Sequence, residues 1–151
     1  MKVEMIYLSQ EDVIRCGGMS MDKAIDDLEE VFCLYDKGDY ILPGKIVMKR
    51  PEPNAEETTG RINAMPGYIG GEYNMAGIKW IGSGPMNYKK GLPRASVTVI
   101  LNDPDTKLPV CVADGTEVSA KRTGASGGVA MKLLSKESSS VLAICGAGAQ
   151  G

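Results

Sequence analysis

Apolar residues recur with the period of a helix near the beginning of the chain. After a short apolar stretch at Met5–Leu8, Ser9 precedes acidic residues, as is typical of a helix N-cap. From Ser20 to Gly38, apolar side chains recur every three or four residues, at Met21, Ala24, Ile25, Leu28, Val31, Phe32 and Tyr35. The pattern predicts a strand, a short helix and then an amphipathic helix whose apolar stripe faces a core.

The middle of the chain has the β-branched, apolar composition of strands. The segments are KIVMKR (Lys45–Arg50), RINAMPGYIGG (61–71), MAGIKWIGS (75–83), ASVTVILND (95–103) and LPVCVADG (108–115), with an acidic loop over 51–60. Gly, Pro, Asn and Asp residues between them mark turns. We expect four or five strands in a mixed or antiparallel sheet.

The composition changes to that of a helix from residue 114 or 116 to residue 134. Three glycines lie inside this segment, Gly124, Gly127 and Gly128, and each weakens a helix by up to ~1 kcal/mol. Their presence predicts close packing of the helix against another backbone.

A glycine-rich turn directly follows an apolar run at the end of the sequence. Gly146, Gly148 and Gly151 have the G-x-G-x-x-G spacing and come after Val141–Cys145. In a dinucleotide-binding turn the first glycine allows a tight turn, the second lets a pyrophosphate approach, and the third lets helix and strand pack closely. The motif alone is weak evidence, and an ordinary glycine-rich strand end is the alternative. The preceding apolar strand favours dinucleotide binding.

Size and charge exclude several classes of partner. The 151 residues, 43% of them hydrophobic, suffice for one compact core. The 17 basic and 19 acidic residues are intermixed, so neither nucleic acid nor an anionic membrane is predicted as a partner. No stretch approaches the ~20 apolar residues of a membrane span, and the N-terminus carries acidic residues where a signal peptide is apolar, so we expect a cytoplasmic protein.

The histidine and cysteine content limits the catalytic groups, metal sites and disulfides that the sequence predicts. The chain has no histidine, which excludes Ser-His-Asp and Cys-His catalysis within it and leaves acid-base work to Lys, Asp, Glu and Tyr. The four cysteines, Cys16, Cys33, Cys111 and Cys145, lack C-x-x-C spacing. We interpret them as small core residues or free thiols and predict neither a metal site nor a disulfide framework.

Several cations near predicted strand ends are candidate anion ligands. Lys79 is the only charge in MAGIKWIGS and must reach an anion or solvent, although an outward-facing strand position explains it equally simply. Arg122, in SAKRTGAS, could clamp a carboxylate or phosphate with help from Thr123, and an ordinary surface arginine is the alternative. Lys45, Arg61 and Arg94 are further cations of this kind.

Six segments, in this order and spacing, resemble the ornithine cyclodeaminase and mu-crystallin family: LPGKIVM, RINAMPGYIGG, AGIKWIGS, LPRASVTVILNDPDTKLPV, SAKRTGASGG and VLAICGAGAQG. The similarity runs from about Met5 to Gly151. It implies an α/β protein with an α+β substrate-binding and dimerisation domain over 1–122 and a connecting helix over 123–138. Residues 139–151 would be the first strand and glycine turn of a Rossmann NAD-binding domain. The resemblance further implies the first half of a longer homodimeric enzyme, inactive by itself.

The resemblance also implies roles for individual side chains. Lys79 corresponds to a catalytic lysine that contacts the substrate carboxylate, and Arg122 to an arginine that clamps it and lies, with Thr123, against the cofactor. Lys45 stands where many members have a carboxylate-binding arginine. The pyrophosphate of NAD, or of NADP as the alternative, would be held by Gly146, Gly148 and Gly151. The catalytic aspartate of the cyclodeaminases would lie beyond the last residue.

The chemistry implied by the resemblance is oxidation of an amino acid at its α-carbon to an imine. The substrate's own amine attacks the imine in a cyclodeaminase, and water attacks it in a dehydrogenase. Asn63 replaces the glutamate that holds ornithine's distal amine, which leaves open both the ornithine branch and the branch that forms diaminopropionate from an aminocarboxyethyl-glutamate. Arg61 and Arg94 would suit the extra carboxylates of the latter substrate. A non-enzymatic small-ligand binder of the mu-crystallin type is the third possibility.

Overall fold

The structure, a computed structural model, describes residues 4–49 and 60–151. Its elements are β1 (Ile6–Leu8), α1 (Gln10–Arg15), α2 (Met21–Asp36), β2 (Tyr40–Ile41), β3 (Ile46–Met48), β4 (Arg61–Ile69), β5 (Met75–Ser83), a 3-10 turn (Asn87–Lys90), β6 (Ala95–Asn102), β7 (Pro109–Asp114) and α3 (Thr116–Leu134). The acidic loop predicted over 51–60 lies outside the described residues except for Gly60, and so does Arg50 at the end of the first predicted strand.

Seven strands form one mixed sheet in the order β1-β7-β6-β5-β4-β2, with β3 also paired to β4. Only the β1–β7 pair is parallel among the strands that the structure describes. The other five pairs are antiparallel: β2–β4, β3–β4, β4–β5, β5–β6 and β6–β7. The predicted α/β class is confirmed. β2 was not predicted, because a strand of two residues is too short to show a periodic pattern.

Local hydrogen bonds begin the first two helices where the sequence predicts. The Ser9 hydroxyl accepts from the backbone N–H of Asp12 at 3.3 Å, and the Asp12 carboxylate accepts from the Ser9 N–H at 3.0 Å. Ser20 likewise accepts from the N–H of Lys23 at 3.3 Å. α2 ends just before Gly38, whose φ of +74° favours glycine. The bounds of both helices are therefore fixed by neighbouring residues.

The helices lie on one face of the sheet. The buried Val97 of β6 donates its N–H to the Thr116 hydroxyl at 3.1 Å, at the start of α3. A Cβ atom added at Gly115, next to that helix, would lie 2.7 Å from Cγ2 of Val99. α1 and α2 pack against α3 on the same side. We call the face of the sheet that carries Val97 and Val99 the helix face.

Two of the three glycines in α3 lie at close contacts. A Cβ atom at Gly128 would lie 2.9 Å from Cδ1 of Ile25 in α2, and one at Gly124 would lie 3.1 Å from the carbonyl oxygen of Gln150. Gly127 has nothing within 4 Å. The predicted close packing against a backbone is confirmed at Gly124, whereas Gly128 packs closely against a side chain and Gly127 meets no neighbour.

The opposite face of the sheet exposes large apolar side chains. Tyr7, Ile46, Met48 and Trp80 are 72%, 67%, 51% and 45% exposed. The stripe of α2 is only partly buried, since Phe32 remains 50% exposed. Apolar surface this extensive is typical of a face that another surface covers. None of the helices that the structure describes is long and apolar enough to cross a bilayer.

The segment after α3 forms no strand. Val141–Cys145, predicted as a strand, has no sheet partner among the described residues, and Val141 is 89% exposed. A strand needs a neighbour to pair its N–H and C=O groups, so the apolar run is insufficient on its own. The domain division at 122/123 stays a prediction, and it falls inside α3, which runs continuously from Thr116 to Leu134.

The cysteines are free, which confirms one of the two interpretations made from the sequence. Cys16, Cys33 and Cys145 are exposed, and Cys111 is half-buried. The interpretation as core residues is therefore wrong for the three exposed cysteines. Cys16 and Cys33 lie at the end of α1 and on the solvent side of α2, where adjacent apolar residues in the sequence do not imply burial.

Candidate active site

Lys79 projects from the middle of β5 onto the helix face. It is paired with Met65 of β4 and Val99 of β6, and directly paired residues place their side chains on the same face. Burial lowers the pKa of Lys79, and the positive charge of Arg122 lowers that pKa further. Arg122, on α3, is exposed but close enough for its charge to act on the lysine.

The two cations lie together without an anion between them. Within residues 4–49 and 60–151, neither Lys79 nor Arg122 forms an ion pair. Like charges held close to each other cost free energy, and a carboxylate between them would relieve that cost and raise the pKa of Lys79 again. The arrangement therefore suits a bound carboxylate. Sequence spacing alone could not establish that these residues converge.

Lys45 lies immediately before β3 and is exposed. Extending the register of β3 by one residue beyond the Ile46–Ala64 pair places Lys45 opposite Met65, in the crosswise row that includes Lys79. Two strand spacings separate the two lysines, roughly 10 Å between backbones. A lysine side chain can reach a carboxylate bound at Lys79 from that distance.

A cavity of about 750 Å³ separates the helix face from the glycine turn. Ile81, the next residue after Lys79 on this face of β5, forms part of its wall together with Val97. α3 contributes Ser119, and Arg94 lies at the entrance to β6. The turn over residues 144–151 closes the other side. The cavity thus brings Arg94 and the glycines together, next to the Lys79 position.

The glycine turn leaves open space beside its first two glycines. Gly146 has a φ of +108°, and neither Gly146 nor Gly148 has an atom within 4 Å of the position of an added Cβ. The N–H of Gly151 donates to the carbonyl of Gly148 at 3.1 Å, and a Cβ at Gly151 would lie 2.8 Å from the carbonyl oxygen of Gly146. The open side of the turn leaves room for a phosphate group to approach the backbone.

Thr123 is not brought to this cavity. Its hydroxyl donates to the carbonyl oxygen of Ser119 one turn back in α3, at 2.8 Å. Ser119 and Ala120 line the cavity instead, from the preceding turn of the helix. The predicted cofactor contact of Thr123 therefore finds no support in the position of its side chain.

Arg61 and Arg94 lie at the same end of the sheet but line different cavities. Ser83 is paired with Arg61 on one side and with Ala95 on the other. Arg61 lines a second cavity, of about 580 Å³, and Arg94 lines the cavity of the glycine turn. The two cavities share Pro93 and Ala95 as a wall. Arg61 therefore lies further from the glycine turn than Arg94 does.

An apolar cavity of about 370 Å³ lies on the other side of Lys79, between α2 and the sheet. Tyr35 of α2 covers it, and the paired glycines Gly67 and Gly77 form part of its floor. Lys79 also lines this cavity.

Asn63 carries an unpaired oxygen on the same face. It is paired with Val47 and Ile81, which places its amide beside the Lys79 row. Its Oδ1 is buried and accepts no hydrogen bond from the residues that the structure describes. The sequence drew attention to Asn63 only through the resemblance, because an unpaired oxygen depends on cross-strand register and leaves no signal in the residue pattern.

Comparisons with known proteins show which family and which solved structures this chain resembles. The model of the ornithine cyclodeaminase/mu-crystallin family matches residues 3–151. N-((2S)-2-amino-2-carboxyethyl)-L-glutamate dehydrogenase of Staphylococcus aureus (strain NCTC 8325 / PS 47) is 38% identical over 100% of this chain and 45% of its own length. An archaeal alanine dehydrogenase dimer with bound NAD has a TM-score of 0.85 and 38% identity, over 98% of this chain and 42% of its own. Thermococcus litoralis Δ1-pyrroline-2-carboxylate reductase, in complex with NADH and L-proline, has a TM-score of 0.84 and 34% identity, over 97% of this chain and 43% of its own. The chain thus spans less than half the length of these relatives.

Proposed function

This chain belongs to the ornithine cyclodeaminase/mu-crystallin family, and from that premise we propose that the whole protein is an NAD-dependent oxidoreductase acting at the α-carbon of an amino acid. The observation that carries the proposal is the pair of cations, Lys79 and Arg122, on the helix face. They have no anion between them among the described residues, and the glycine turn lies across the neighbouring cavity. A substrate carboxylate fits the cations, and a dinucleotide fits the turn.

The two cations position the substrate. Lys79 and Arg122 bind the α-carboxylate through charge-assisted hydrogen bonds and so fix the α-carbon, an effect worth several kcal/mol. A nicotinamide cofactor held at the glycine turn would supply the acceptor for a hydride from that carbon. Loss of the hydride and of one N–H proton leaves the substrate as an imine. Water can add to the imine and release a keto acid together with ammonia or an amine, and the cofactor then stays reduced. Alternatively, the substrate's own terminal amine can add and release ammonia, and the cyclic imine that remains would take the hydride back, without net reduction of the cofactor.

The glycine turn supports NAD as the cofactor. Its open face at Gly146 and Gly148 can accept a pyrophosphate, and the relatives of known structure named above contain NAD or NADH. NADP stays the alternative, because the residue that distinguishes the two is expected beyond Gly151.

We also propose that the whole protein is a homodimer. The exposed apolar face around Tyr7, Met48 and Trp80 offers a surface that a second copy could bury. The similar archaeal alanine dehydrogenase is described as a dimer. Light scattering coupled to size-exclusion chromatography of the full-length protein tests this, and a monomer at micromolar concentration would contradict it.

A ligand-binding protein without enzymatic activity is the second candidate. The apolar cavity beside Lys79 favours it, because 370 Å³ of apolar space ending at one cation suits an amphipathic acid. In that case Lys79 and Arg122 would bind the ligand without any reaction.

Incubation of the full-length protein with NAD and a panel of amino acids separates these functions. Net formation of reduced cofactor, followed by absorbance, together with a keto acid product indicates a dehydrogenase. Proline without net reduction indicates a cyclodeaminase. Ligand binding with no turnover of any amino acid would contradict the enzymatic proposal and favour the binding protein.

A further inference from the structure

Two cations lie opposite each other where β3 and β4 meet at one end of the sheet. The register of these strands pairs Met48 with Ile62, and its continuation by one residue places Lys49 opposite Arg61. Residues in this relation place their side chains on the same face, with backbones roughly 5 Å apart. Like charges directly opposite each other destabilise a pair of strands, and an anion between them would relieve that cost.

The described residues supply no such anion. Within residues 4–49 and 60–151, neither Lys49 nor Arg61 forms an ion pair. Both side chains are exposed and line the cavity of about 580 Å³, and none of the described residues that line this cavity is acidic. The two charges can therefore bind an anion from solution.

Hydroxyl groups extend the cationic pair across the sheet. Ser83 of β5 is paired with Arg61, and Ser96 of β6 lines the same cavity. Neither hydroxyl has a hydrogen-bond partner in the described part of the chain. The nearest atom to a Cβ added at Gly82 would be Oγ of Ser96, at 3.8 Å, so the space beside that hydroxyl is open. Two hydroxyl donors are thus available next to the two charges.

This combination of side chains suits a phosphate group. A phosphate carries about two negative charges and at least three oxygen acceptors, which match two cations and two hydroxyl donors. A guanidinium binds phosphate oxygens through two parallel hydrogen bonds, and an ammonium binds them as a point charge. A single carboxylate has one charge and two oxygens, and it would leave part of the positive charge without a partner.

The cavity lies outside the candidate active site. Neither of the cations assigned to the substrate carboxylate lines it, and neither does the glycine turn. It shares only Pro93 and Ala95 with the cavity of the glycine turn. A ligand bound at Lys49 and Arg61 would therefore be separated from the amino acid and the dinucleotide by this wall.

We propose that the two cations and the two hydroxyls form a second binding site, which we call the phosphate site: Lys49, Arg61, Ser83 and Ser96. Its ligand is a phosphate group, either free phosphate or the phosphate ester of a small metabolite. The site goes beyond the proposed function, because its ligand is neither the amino acid nor the dinucleotide. Bound phosphate neutralises the cross-strand pair of cations and so stabilises the folded protein.

Calorimetric titration of the full-length protein with inorganic phosphate, at an ionic strength held constant with chloride, tests the site. We expect saturable binding of one phosphate per chain. The affinity should be about 10-fold lower in Arg61→Gln, because this variant loses charge-assisted hydrogen bonds to the phosphate. Lys49→Gln should show a similar loss, and Arg61→Lys should recover part of the affinity, because it keeps the charge.

A second titration, with glycerol 1-phosphate, identifies the source of the phosphate group. Tighter binding than that of inorganic phosphate indicates a phosphate ester as the ligand, and equal or weaker binding indicates free phosphate. The phosphate site is supported in either case if Arg61→Gln weakens the binding.

Arg15→Gln is the matched control, because Arg15 is an exposed arginine of α1 that does not line the cavity. It should leave the affinity for phosphate unchanged. A thermal melt in chloride checks folding, and Arg61→Gln should melt no lower than the unmodified protein, since it removes one of two like charges. Phosphate should raise the melting temperature of the unmodified protein more than that of Arg61→Gln.

Three results would overturn the inference. They are the absence of saturable phosphate binding, an unchanged affinity in both Arg61→Gln and Lys49→Gln, and loss of phosphate binding when NADH saturates the protein, which would place the anion at the glycine turn instead. None of these results bears on the oxidoreductase function, which is tested by cofactor reduction with amino acids. Conversely, a protein that reduces no cofactor can still bind phosphate at this site.

Discussion

Two regions of the molecule have similar composition but different secondary structure. MAGIKWIGS and VLAICGAGAQG both combine an apolar run with glycines, yet the first is the central strand β5 and the second forms no strand. β5 has β4 on one side and β6 on the other, whereas Val141–Cys145 has no strand partner in the described part of the chain. Apolar patterning permits a strand, and pairing with neighbours makes one.

The glycines of the two regions also differ in what surrounds them. A Cβ at Gly77 of β5 would lie 2.6 Å from the carbonyl oxygen of Ile100, while a Cβ at Gly148 would meet nothing within 4 Å. Gly77 is thus required by the packing of the sheet. The open space at Gly148 is available to a ligand. Substitutions in the two regions should therefore affect different properties of the protein.

The largest effect is expected at the centre of the sheet. Lys79→Met in the full-length protein should lower kcat/KM about 100-fold or more, because the α-carboxylate loses a charged partner that positions the reacting carbon. Folding should not suffer, since the burial and the nearby Arg122 that lower the pKa of Lys79 disfavour its charge. Steady-state kinetics measures kcat/KM, and a thermal melt measures the stability of the fold.

The pH dependence of KM in the unmodified protein tests the same role of the Lys79 charge. Because the pKa of Lys79 is lowered, its charge is lost on raising the pH through a value below the ordinary 10.5. KM should therefore rise with pH in that range, and Lys79→Arg should remove the rise. A variant Lys79→Met with normal kcat/KM would show that the carboxylate binds elsewhere.

An intermediate effect is expected from the paired glycines of the sheet. Gly77→Ala should lower the free energy of unfolding by about 1–3 kcal/mol, because the added methyl group meets the backbone of β6. Gly67→Ala is the matched control on the paired strand, where the nearest atom to the new Cβ is the Ile41 carbonyl oxygen, at 3.6 Å. Urea unfolding of the full-length variants measures both. Equal destabilisation would show that the close approach of the Ile100 carbonyl oxygen is not the cause, because the restriction of the unfolded chain favours folding of both variants alike.

The smallest effect is expected at the terminal turn. Gly148→Ala should leave the melting temperature unchanged, since the added methyl group meets open space. It should weaken NAD binding about 10-fold, or ~1.4 kcal/mol, because the methyl group occupies the side from which the pyrophosphate approaches. Fluorescence titration with NADH measures the affinity. Unchanged affinity would remove the turn from the cofactor site, and a lower melting temperature would show that it packs more tightly than its surroundings suggest.

The sequence predicted which residues form much of the candidate site, but it did not predict how they are arranged in space. Lys79 could equally have been a solvent-facing residue of an alternating strand, and the pairing with Val99 places it on the helix face instead. Arg61 and Arg94 appeared equivalent in sequence, and they line separate cavities. The hydroxyl of Thr123, the residue after Arg122, donates its hydrogen bond to a carbonyl oxygen within α3.

The sequence by itself determined the elements whose causes are local. Ser9 and Ser20 begin α1 and α2 through hydrogen bonds to residues three positions on, and alternating β-branched residues mark the long strands. Only the tertiary structure decided the face on which Lys79, Asn63 and Arg61 lie and the closeness of Arg122. The physical reason is strand register: these relations join residues distant in sequence, and a slip of one residue would turn every side chain of a strand to the opposite face.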